Sequence, residues 1–74
     1  MELKPDRIEI ASDIHERDGI GIEVYRKGEL VLEIFRDDTK RSRTITNYKK
    51  SIPLELMENS IKEFKNKIPW EFIN

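Results

Sequence analysis

The chain has 74 residues, with 14 Lys and Arg against 15 Asp and Glu and a formal charge of −1. A chain this short buries about 60–65% of its unfolded surface, so it forms one core and leaves no internal cleft for a large substrate. It has no cysteine, which excludes disulfides and thiolate chemistry and fits a reducing, cytoplasmic setting; its longest aliphatic run, Leu30, Val31 and Leu32, is far below the ~20 apolar residues of a membrane span, and no apolar leader follows the opening Met1 to Arg7, so no membrane role is expected.

Residues 8–14, Ile-Glu-Ile-Ala-Ser-Asp-Ile, read as a strand. On a helical wheel their apolar members scatter, whereas at period two Ile8, Ile10 and Ile14 share one side. His15 to Gly19 read as a turn. Ile20, Ile22 and Val24 then alternate with Gly21, Glu23 and Tyr25, the clearest strand signal in the chain. Arg26 to Glu29 turn through Gly28, and residues 30–36 return with Leu30, Leu32 and Ile34 on one side and Val31, Glu33 and Phe35 on the other, making a meander step.

Residues 37–42 follow as a loop, and residues 43–50, Arg-Thr-Ile-Thr-Asn-Tyr-Lys-Lys, are expected as a fourth, edge strand whose cations discourage edge-to-edge pairing. Residues 53–68 are the helix. Pro53 stands near its first position, Glu55 and Glu58 lie early, and Lys62, Lys65 and Lys67 lie late, as the helix dipole favours. Leu54, Met57, Ile61, Phe64 and Ile68 recur at spacings of three and four and predict one apolar stripe. Pro69 ends it. The last stretch, residues 69–74, holds Trp70, Phe72 and Ile73 and is expected to pack back on the core or on a partner.

The fold class expected is α+β, one small domain over residues 1–74: a four-stranded antiparallel meander with a C-terminal helix on one face (ββββα). The helix is expected to cover Ile8, Ile10, Ile20, Ile22, Val24, Leu30, Leu32, Ile34 and Ile45. The opposite, open face then carries Glu9, Asp13, Glu23, Tyr25, Val31, Glu33, Phe35, Thr44, Thr46 and Tyr48. Charge is uneven along the chain, residues 1–39 having 11 acids and 6 bases and residues 40–74 having 4 and 8.

Nothing in this pattern points to catalysis. A nucleophile needs a base and an orienter, and the single His15 stands near Ser12 in sequence only. Asp13, His15 and Glu16 lack the second His, the Cys or the repeated ligand spacing of a metal site, and read as a solvated turn. Asp37 and Asp38 read as turn acids in water, without a cleft to push their pKa values apart. The three glycines stand apart, so no phosphate-cradling loop is present. No cofactor, metal or small-molecule substrate is expected.

The expectation is therefore a non-enzymatic binding module, self-associating as a homodimer or binding a protein partner through the open sheet face. The interface residues would be Tyr25, Val31, Phe35, Tyr48 and Trp70, aromatic and aliphatic groups set among acids that could select a basic partner. A second reading is single-stranded nucleic-acid binding through Lys40, Arg41, Arg43, Tyr48, Lys49 and Lys50, cations around a stacking aromatic. Four strands followed by a helix also resemble, in architecture alone, the coactivators that grip single strands on their sheet.

Overall fold

Alternation at period two carries most of the first 47 residues into strands, and a run of good helix formers after Pro53 carries the rest into a helix. The computed structural model describes residues 3–14 and 18–73. Its elements are β1 (Arg7–Asp13), β2 (Gly19–Arg26), β3 (Glu29–Asp37), β4 (Ser42–Asn47) and α1 (Leu54–Lys67). The strands form one antiparallel sheet in the order β1-β2-β3-β4, the ββββα arrangement. His15 and Glu16 lie outside the described residues.

The turn between β2 and β3 has Lys27 at φ 52° and Gly28 at φ 78°. Two successive positive φ values are what a two-residue hairpin needs to match strand twist. The register is regular except at Val24/Tyr25, where Tyr25 faces Leu30 but Val24 faces Leu32, so Val31 is a bulged extra residue. The bulge exchanges the faces expected for Leu30 and Val31. Val31 joins the helix-side core with 6% of its surface exposed, and Leu30 takes the open side opposite Tyr25.

Four isoleucines stand in one row across the sheet, Ile10, Ile22, Ile34 and Ile45. The middle two are buried, at 0% and 4%, while Ile10 on β1 and Ile45 on β4 are 58% and 44% exposed. One helix about 10 Å wide spans roughly two strands at ~4.8 Å spacing, so the expected cover over Ile10 and Ile45 does not extend that far. The helix also sits rotated from the expected stripe: Leu56, Ser60 and Phe64 are its buried residues, Met57 and Ile61 flank them, and Leu54 is 68% exposed. Ser60 lies where a larger side chain would hold the helix off the sheet, and its hydroxyl is satisfied by donating to the Leu56 carbonyl at 2.7 Å. Pro53 is the N-cap, with φ −55° and ψ 139°.

The segment before β1 is tied down by polar contacts. Asn59 donates to the Leu3 carbonyl at 2.7 Å, Arg26 to the Lys4 carbonyl at 2.6 Å, and the Lys27 amide to the Asp6 carboxylate at 2.7 Å. Among the described residues, no helix is long and apolar enough to cross a membrane.

Candidate functional site

The open face is organised in rows that run across the strands. One row is Glu9, Glu23, Glu33 and Thr46; the next is Ala11, Gly21, Phe35 and Thr44; the third is Asp13, Gly19, Asp37 and Ser42. Like charges directly opposite one another destabilise a sheet, yet three glutamates here stand on neighbouring strands. Their environments differ: the Glu9 side chain is 51% exposed, Glu23 is half-buried and Glu33 is 5% exposed. Among the described residues, Arg7 is a cation beside them, 3.3 Å from Glu9 and stacked at 4.1 Å over the Tyr25 ring. The Tyr25 hydroxyl donates to Glu23 at 3.1 Å. Partial burial, and then the Glu23 carboxylate, push the Tyr25 hydroxyl above its ordinary pKa, against the pull of Arg7.

Phe35 is on this face as expected, but only 1% of its surface is exposed. Its ring lies on the floor left by Gly21 and Gly19: a Cβ on Gly21 would come within 2.9 Å of the ring and collide with the Ile34 carbonyl oxygen. Glycine at this position lets strand and ring close together. Of the five residues expected at an interface, Val31 belongs to the helix-side core and Phe35 is a buried filler. Tyr25 remains half-buried on the open face, and Tyr48 and Trp70 are 50% and 48% exposed elsewhere. Tyr48 lies past the end of β4, its amide donating to the Val31 carbonyl at 2.8 Å.

The basic stretch is divided by the strand it was expected to form. β4 ends at Asn47, so Lys40, Arg41 and Arg43 stand at one end and Tyr48, Lys49 and Lys50 beyond the other, about 17 Å apart at strand rise. Lys49 is paired with Glu29, whose carboxyl is held below its ordinary pKa by that ammonium. Arg43 donates to the Trp70 carbonyl at 3.2 and 2.6 Å and stacks 3.7 Å from the Trp70 ring centre and 4.2 Å from that of Phe72. Arg41, at φ 55°, lies 5.1 Å from the Phe72 ring.

This cluster holds the C-terminal segment. Arg36 and Arg43 face each other across β3 and β4. Arg36 is 2% exposed, binds both oxygens of Asp38 at 2.9 and 3.2 Å, and donates to the Pro69 carbonyl at 2.7 Å. Asp38 also accepts from the Ile73 amide at 3.1 Å. Burial raises the Asp38 carboxyl, but the Ile73 amide and the Arg36 and Arg41 charges outweigh it and hold it below its ordinary value.

The expectation of turn acids in water therefore needs correction. Asp37 and Asp38 are 5% and 8% exposed; Asp37 keeps a turn role by accepting the Lys40 amide at 3.0 Å, while Asp38 is half of a bidentate ion pair. The signal for this pairing was weak, since Arg36 to Asp38 is a spacing of two that a strand running into a turn brings together, and the tail contacts span 33 and 35 residues.

No group of three or more His, Cys, Asp or Glu among the described residues has the geometry to hold a metal ion. Comparison with protein-family models, with curated proteins and with solved structures finds no match to this chain.

Proposed function

We propose that this protein works by binding, through the open sheet face, and that its partner is a protein surface rich in Lys and Arg. The observation that carries the reading is the row Glu9, Glu23, Glu33, flanked by Asp13 and Asp37 one row pair further on. Glu9 and Glu23 stand directly opposite each other on β1 and β2, a like-charge pair that weakens the sheet, and an incoming cationic surface would relieve that repulsion. The side chains within reach of such a partner are Glu9 and Glu23, with Tyr25 and Arg7 at the border supplying an aromatic plane.

The test is an amide NMR titration with a short oligolysine peptide at low and then physiological salt. Saturable shifts at Glu9, Glu23 and Thr46 that weaken with salt, and that shrink in Glu23→Gln, are expected. An absence of shifts at millimolar peptide would reject the reading. Running the same titration with a short mixed-sequence DNA single strand addresses the second reading. Arg41 and Arg43 already hold aromatic rings of the chain itself, so little response is expected there, and saturable, salt-sensitive shifts over residues 40–50 would replace the proposal with nucleic-acid binding.

A further inference from the structure

The β1 edge combines exposed apolar side chains with a cation at its first residue, Arg7, and an acid at its last, Asp13. Ile10 and Ile14 are 58% and 77% exposed, and β1 pairs with β2 on one side only. On its helix side β1 borders an open groove of about 430 Å³ lined by Lys4, Arg7, Ile8, Lys62 and Glu63 among others. An unpaired strand edge is a template for another strand, and the question is which strand fits.

We propose that a second copy of this chain occupies the edge, β1 against β1, antiparallel, with the two-fold axis at Ile10. In that register Ile10 meets Ile10 of the second copy, Ile8 meets Ser12, Glu9 meets Ala11, and Arg7 meets Asp13. Both ends of the pairing thus join opposite charges, on the open face. Because the axis passes through a residue, both copies keep their helices on the same side of an eight-stranded sheet, and the two acidic faces become one surface.

Neighbouring registers fail on the same criterion. An axis at Glu9 sets glutamate against glutamate, an axis at Ala11 sets Glu9 against Asp13, and an axis at Ile8 or Ser12 leaves three strand residues or fewer in overlap. The opposite edge offers no equivalent, since the one charge within β4 is Arg43, and no pairing of β4 with itself can set it against an acid.

The pairing is independent of the open-face reading, which the oligolysine titration tests on its own. Sedimentation of the wild-type protein from micromolar to millimolar concentration is expected to show a monomer–dimer equilibrium. Ile10→Lys, at an exposed position, should abolish it. Arg7→Glu and Asp13→Lys should each weaken dimerisation by about tenfold, there being two such pairs per dimer, and the double reversal should restore it. In the wild-type protein, amide exchange over residues 7–13 should slow as concentration rises. A protein that stays monomeric, a dimer indifferent to Ile10→Lys, or charge reversals that do not rescue one another would each overturn the proposal.

Discussion

At the scale of single residues, the most consequential group is the Arg36 guanidinium. It is 2% exposed, and a buried cation is tolerable only when its donors are occupied. Asp38 takes two of them and the Pro69 carbonyl a third, so ion pair and tail position depend on each other. The Asp38 carboxyl is depressed in the folded protein; its contribution to stability is therefore present above the ordinary Asp pKa of about 3.9 and is lost as pH falls through the lower folded value. Acidification should release the tail before the sheet unfolds. Trp70 is the single tryptophan, and its emission should change in that acid window as the Arg43 stack opens. In Asp38→Asn the emission should already be shifted at neutral pH and the acid step should vanish. A second residue-scale prediction concerns Gly21, where an added Cβ meets the Ile34 carbonyl oxygen and the Phe35 ring: Gly21→Ala should cost about 1–3 kcal/mol in urea denaturation, although alanine is ordinarily a modest change in a strand.

At the scale of elements, the bulge and the helix rotation both reverse simple expectations from sequence spacing. Val31 lies in the core and Leu30 faces Tyr25 on the open side, so Val31→Ala should cost more than Leu30→Ala despite losing fewer atoms. About 1.5–2.5 kcal/mol is expected for the valine, from two methyl groups plus the cavity left behind. Likewise Leu56→Ala should cost about 2–5 kcal/mol, while Leu54→Ala, 68% exposed, should stay within about 0.5 kcal/mol. Thermal or urea unfolding of the four variants checks both orders. The strands and helix were legible because alternation and the three-four spacing are local properties, and turn chemistry at Lys27 and Gly28 separates β2 from β3 by two residues. The exchange of Leu30 and Val31 was not legible, since a bulge is a relation between two strands and leaves the alternation of either one intact. The helix rotation was hidden for a related reason. Ser60 scores as polar, but its small size and its bond to the Leu56 carbonyl suit it to close packing. The candidate site shows the same limit: the individual acids of the open face are plain in the sequence, whereas the alignment of Glu9, Glu23 and Glu33 depends on two registers at once.

At the scale of the whole molecule, a net charge of −1 conceals a division by face. Acids from β1, β2 and β3 line the open side, while Arg36, Arg43 and Lys65 gather on the helix side around the tail. That division follows largely from the chain order: the acid-rich first half supplies β1, β2 and β3, with Arg36 of β3 the exception, and the base-rich second half supplies β4 beside them and α1 and the tail behind them. Apolar cover is divided as well, complete over Ile22 and Ile34 and incomplete over Ile10 and Ile45. Amide exchange should reproduce this gradient, because opening free energy rises with the buried apolar contacts that an opening must break. The slowest amides are expected on β2, β3 and the central turns of α1, where Leu32, Phe64 and their neighbours are buried. Residues 42–47 and 70–73 should exchange faster, as an edge strand and a tail held by side-chain clamps. β1 supplies the discriminating case. As the edge of a monomer it should exchange like β4 at every concentration, whereas pairing through Ile10 should move it toward the central strands as concentration rises and leave β4 where it was. A spectrum in which β4 gains protection and β1 does not would place the association on the opposite edge.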